Sequence, residues 1–102
     1  MKYYYHATHM ENLIPIMDQG INPGPDGLVY MCEKPEDSVK FLAVRGYRDI
    51  LVCKIKIFKK DETNIVETFD HSERFFKCRA FGYMGHIKPE MITEYIQYNL
   101  ER

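Results

Sequence analysis

The sequence has no tryptophan, no Cys-x-x-Cys pair and no apolar run near the roughly 18 residues that span a bilayer. Each absence removes a class. Without a long apolar run, no membrane-crossing helix is expected. The start, Met1-Lys2-Tyr3-Tyr4-Tyr5-His6, lacks the apolar core of a secretory signal, so the expected location is cytoplasmic. The cysteines Cys32, Cys53 and Cys78 are odd in number and widely spaced, which argues against a zinc ribbon, a redox pair or any other metal site. Charge of one sign is also missing. Fourteen basic and 15 acidic residues give a net charge of −1, so no overall field draws the chain to nucleic acid or an anionic membrane. The local groups Lys54, Lys56, Lys59 and Lys60, and Arg74, Lys77 and Arg79, read as solvated faces. With no repeat, linker or low-complexity tract, residues 1–102 are expected to form one domain.

What is present is tyrosine, eight copies of it, a residue suited to half-buried edges and pocket walls. Residues 2–7 are tyrosine-rich and predict a strand. Thr8 with Glu11 has capping-box spacing, which predicts a helical turn beginning near Thr8, then a helix over about 14–19 ended by a left-handed Gly20. Leu13, Ile16 and Met17 would face the core. Asn22-Pro23-Gly24-Pro25-Asp26-Gly27 is dense turn chemistry. Residues 28–32 predict a buried strand with Leu28, Tyr30 and Cys32 on one face. Pro35-Glu36-Asp37 opens a second helix closed by Gly46. Residues 49–58 alternate most clearly as a strand. Shorter strands are expected at 65–69, 78–84 and 94–100, the last with a frayed helix as its alternative. Helices early and strands late predict an α+β domain with a bent or split, mainly antiparallel sheet and two short helices.

Two residues stand out chemically. His6 ends the first strand just before a turn, where a neutral imidazole can donate to one group and accept from another. Tyr30 can offer its ring face to a planar ligand, or serve as a core tyrosine with a surface hydroxyl. His71, Glu73 and His86 are further titratable candidates in apparent loops, and a His6–His86 acid–base pair would suit a small nuclease.

In order, these features resemble the ADP-ribosyltransferase-like fold, in particular small bacterial and phage-type members related to DNA ADP-ribosyltransferases and RNA 2′-phosphotransferases. The resemblance runs from Tyr5-His6-Ala7-Thr8 through Gly20-Ile21, then Gly27-Leu28-Val29-Tyr30 leading into Lys34-Pro35-Glu36, and finally Ile87-Lys88-Pro89-Glu90-Met91-Ile92. It implies NAD as a substrate, with no metal. It assigns His6 to the ribose beside nicotinamide, the backbone of Ala7 and Thr8 to the carboxamide side, and Tyr30 to stacking on nicotinamide. The acceptor of ADP-ribose would be a nucleic acid or a protein.

Two departures follow. Ala7 stands where the family usually has glycine. The family's late-strand glutamate, which stabilises developing positive charge, has no counterpart in Cys78-Arg79-Ala80-Phe81-Gly82-Tyr83-Met84. Arg79 and Tyr83 on that stretch suit ligand or phosphate contacts instead. Glu73, or Glu67 on the preceding strand, would have to be a displaced catalytic acid. The alternative is a degenerate member that binds a nucleotide, nucleic acid or protein as a regulator or inhibitor.

Overall fold

The computed structural model describes residues 2–68 and 80–100. It is a single α+β domain built on one six-stranded antiparallel sheet. The strands are β1 (Lys2–His9), β2 (Leu28–Cys32), β3 (Asp49–Ile57), β4 (Ile65–Thr68), β5 (Ala80–Met84) and β6 (Ile92–Asn99), in the order β4-β5-β2-β1-β3-β6. Helix α1 (Leu13–Gln19) lies on one face and α2 (Pro35–Ala43) on the other. Among the described residues no helix is long and apolar enough to cross a membrane.

β3 is the most buried strand because both of its faces are covered. Leu51, Cys53, Ile55 and Ile57 pack with Tyr4, Ile16 and Met31 on the α1 side, while Ile50 and Val52 pack with Val39 and Leu42 of α2. Burial pushes the Cys53 thiol up to about 12, so this cysteine behaves as a small apolar side chain. Lys54 and Lys56 interrupt the apolar pattern but find partners: Lys54 pairs with Glu94 at 3.1 Å and lies over the Tyr3 ring, and Lys56 lies over Phe58.

The capping box expected at Thr8 does not form. β1 runs on to His9 because Thr8 and His9 pair with Leu51 and Ile50, and that ladder outweighs one cap bond. The Thr8 hydroxyl instead accepts a hydrogen bond from Asn12 Nδ2 at 2.8 Å. A short 3-10 turn over Met10–Asn12 then leads into α1. On α1, Ile16 is buried and Leu13 packs against the core, but Met17 is exposed, contrary to the expected face. The closing segment is a strand, β6, and not a helix, because it pairs along β3 from Asp49↔Asn99 to Ile55↔Ile92.

Gly20 ends α1, but not in the left-handed helical conformation. Its φ of 78° and ψ of −158° lie in a region that only glycine occupies readily. The turn brings Ile21 beside Ile87, with backbone bonds of 2.8 and 2.9 Å in both directions. A Cβ at position 20 would meet the Ile87 carbonyl oxygen at 2.0 Å. Gly20→Ala is therefore expected to lower stability by at least ~1–3 kcal/mol from backbone conformation alone. Urea unfolding checks this, and an unchanged midpoint would show that the turn is not built as described.

Candidate functional site

β1 and β2 meet at a single ladder position, Tyr5↔Cys32. By contrast, β1 pairs with β3 along its whole length, and β2 with β5 along its own. The sheet is therefore split between β1 and β2. Beyond Tyr5, the described residues give β1 no further ladder partner on the β2 side. A cleft of about 290 Å³ opens there. It is lined from β1 by Tyr5, His6 and Ala7 and from β2 by Tyr30, Met31 and Cys32.

His6 closes part of this gap. Its Nδ1 lies 2.7 Å from the Tyr30 carbonyl oxygen. A carbonyl can only accept, so Nδ1 carries the proton and donates. In the neutral ring this leaves the Nε2 lone pair as an acceptor. Loss of water around the ring holds the His6 pKa below the ordinary histidine value, and the carbonyl contact offsets this only in part. His6 is thus neutral at pH 7.

Tyr30 projects beside it, with 42% of its surface exposed. Its hydroxyl donates to the carboxylate of Asp26, and the other Asp26 oxygen accepts from the Leu28 N–H at 3.1 Å. These two bonds, the hydroxyl first, hold the Asp26 carboxyl below its usual range. The turn read as loop chemistry therefore anchors the far end of the tyrosine ring.

The other wall belongs to α2. Ser38, Phe41 and Leu42 line the cleft from one face of the helix, at i, i+3 and i+4, and Arg45 joins them from the turn that follows it. Ser38 is buried, and its hydroxyl donates to the Pro35 carbonyl at 2.7 Å, leaving its lone pairs as acceptors. Ala80 of β5 completes the lining opposite Cys32.

Of the residues singled out in the sequence, the fold brings His6, Ala7 and Tyr30 into one cleft. Thr8 does not line it. Tyr83 is buried in the core layer on the α1 side, where its hydroxyl accepts from Asn64. Glu67 is exposed on the edge strand β4, opposite Phe81, a residue of that same α1-side core. His86 bonds to Asn22 at 2.9 Å and does not share the cleft with His6. Glu73, Arg79 and His71 lie outside the described residues. Among the described residues no group of three or more His, Cys, Asp or Glu side chains is placed to hold a metal ion. The sequence reading missed Asp26, Ser38, Phe41 and Arg45. The periodicity of α2 was a signal for Ser38 and Phe41, whereas Arg45 sits in the turn after the helix.

The His6 environment sets a pH dependence. Below the ordinary histidine value of 6.5 the unfolded chain takes up a proton that folded His6 resists, so stability falls as pH drops from 7.5 towards 5. His6→Asn is expected to reduce that fall, read as the difference between thermal midpoints at the two pH values. An identical fall in both proteins would contradict a neutral His6.

No protein-family model matches this chain and no curated protein does, so its function is read from the chemistry of the cleft.

Proposed function

We propose that the cleft binds NAD, or another ligand carrying an ADP-ribose unit, with the nicotinamide-type base between Tyr30 and Phe41. The observation that carries this reading is the His6–Tyr30 bond across the split. It leaves one directed acceptor, His6 Nε2, in a cleft lined by three aromatic residues, Tyr5, Tyr30 and Phe41. A ribose hydroxyl can donate to that nitrogen. The buried Ser38 oxygen can accept from a carboxamide NH₂, and aromatic rings favour a planar base. A volume of about 290 Å³ is near the lower bound of small-molecule sites, which suits one base and its ribose.

The chemistry available to such a complex is transfer. The bond from nicotinamide to ribose breaks, nicotinamide leaves with the electron pair, and an acceptor on nucleic acid or protein forms the new bond and gives up its proton. A carboxylate would stabilise the cationic sugar between the two events. None of the described cleft residues is acidic, and Ala80 occupies the place where β5 faces the cleft. That observation favours a second reading, in which the domain binds its ligand without turnover, as a regulator or inhibitor.

Ligand at a hundredfold excess over its Kd should stabilise the fold by about 2.7 kcal/mol, a shift in thermal midpoint of roughly 10–20 °C. NAD, ADP-ribose and nicotinamide are the ligands to scan. Tyr30→Ala is expected to abolish the shift, and Asp26→Asn to weaken it by loosening the ring. If none of the three moves the midpoint, the reading fails. Labelled NAD then separates the two readings. Turnover lost in His6→Ala supports transfer, and saturable binding without NAD consumption supports the regulator.

A further inference from the structure

The cleft has a charged rim. After α2 the chain runs Val44-Arg45-Gly46-Tyr47-Arg48 into β3. Backbone bonds hold this loop in shape: Arg45 and Tyr47 N–H donate to the Leu42 carbonyl, Gly46 N–H to Ala43, and the Arg48 carbonyl accepts from Leu100. Arg45 lines the cleft, while Tyr47 and Arg48 line a second, shallower concavity with His9, Glu11 and Asp49. The two hollows are neighbours. His9 lies two residues beyond Ala7 on the same face of β1, a step of about 7 Å.

The arginines differ in what surrounds them. Arg48 shares its hollow with two acids, Glu11 and Asp49, although it forms no ion pair with either. Arg45 shares its cleft with Tyr5, His6, Tyr30, Ser38 and apolar side chains, and with no acid among the described residues. No ion pair of Arg45 occurs among them either. A cation just past a helix C terminus gains something from the helix dipole alone. That gain does not require it to line a cleft whose described residues include no acid. A guanidinium there is a planar fork of donors with an unmatched charge, the arrangement that recognises a phosphate.

We infer that Arg45 binds a phosphate of the ligand, and that the cleft selects a phosphorylated nucleotide over its nucleoside. This deepens the proposed nucleotide reading and rests on it. The base and ribose occupy the cleft between Tyr30 and α2, and the 5′-phosphate reaches the rim at Arg45.

Calorimetry on the full chain tests this with nicotinamide riboside, nicotinamide mononucleotide and inorganic phosphate. The native protein is expected to bind the mononucleotide about 10- to 100-fold more tightly than the riboside, a charge-assisted contact's worth. Added salt should weaken the mononucleotide and leave the riboside unchanged. Inorganic phosphate should compete with the former only. Arg45→Ala should bring the two ligands to equal affinity, without changing riboside binding or the thermal midpoint of the free protein. Arg45→Lys should fall between them. Arg48→Ala, which removes the same charge from the neighbouring hollow that also holds two acids, should change the ratio less than about twofold. Equal affinities in the native protein, equal loss of both ligands in Arg45→Ala, or the same effect from Arg48→Ala would each overturn the phosphate rim while leaving the cleft a nucleoside site. Failure of both riboside and mononucleotide to bind the native protein rejects the nucleotide reading itself.

Discussion

The site depends on a strand pairing that stops after one residue. Where β1 and β2 part beyond Tyr5↔Cys32, the Tyr30 carbonyl takes its β1 donor from a side chain. The imidazole N–H of His6 takes that role. A side chain replaces a backbone group, and three consequences follow together. The gap between the strands stays open as a cleft. The histidine is committed to one tautomer. The tyrosine that presents its ring to the cleft is fixed at its backbone by His6 and at its hydroxyl by Asp26. Preorganisation of this kind lowers the ordering cost of binding.

The rest of the fold keeps that gap from collapsing. β3 ties β1 to β6 by full-length pairing, with apolar residues buried on both faces. On the other side, β5 holds β2 by a ladder from Leu28↔Met84 to Cys32↔Ala80. α2 packs across β1, β2 and β3, so the helix that lines the cleft also bridges its two sides. The Ile21–Ile87 clip does the same from the opposite face, joining the end of α1 to the segment after β5.

Much of this was legible in the sequence, for local reasons. β3 alternated clearly because each face met a different core layer. α2 announced itself through Pro35 and the acids after it. Gly20 marked the end of α1, although its backbone angles came from the close approach of Ile87 and not from a helix cap. The Thr8–Glu11 signal misled because it describes only local options, whereas Thr8 had a ladder partner, Leu51, more than 40 residues away. His6 and Tyr30 were visible as a strand end and a strand face. Their bond was not, since it depends on where two strands cease to pair. Asp26 looked like turn chemistry until the fold brought its carboxylate to Tyr30. Ser38 and Phe41 share a face of α2, but that this face meets a cleft depends on where β1 and β2 part, and Arg45 reaches the same cleft from the turn after the helix.

The strand order also has a kinetic meaning. β1 comes earliest in the chain, yet it sits inside the sheet, and its partners are supplied by residues 28–57. It cannot settle by a local hairpin. Its docking must wait for β3, about 40 residues later, and pay the closure entropy of everything between. A chain emerging from the ribosome holds this tyrosine-rich strand unpaired through that interval, with its edge open to other strands. The cleft-forming histidine therefore sits on a segment made before every strand it pairs with.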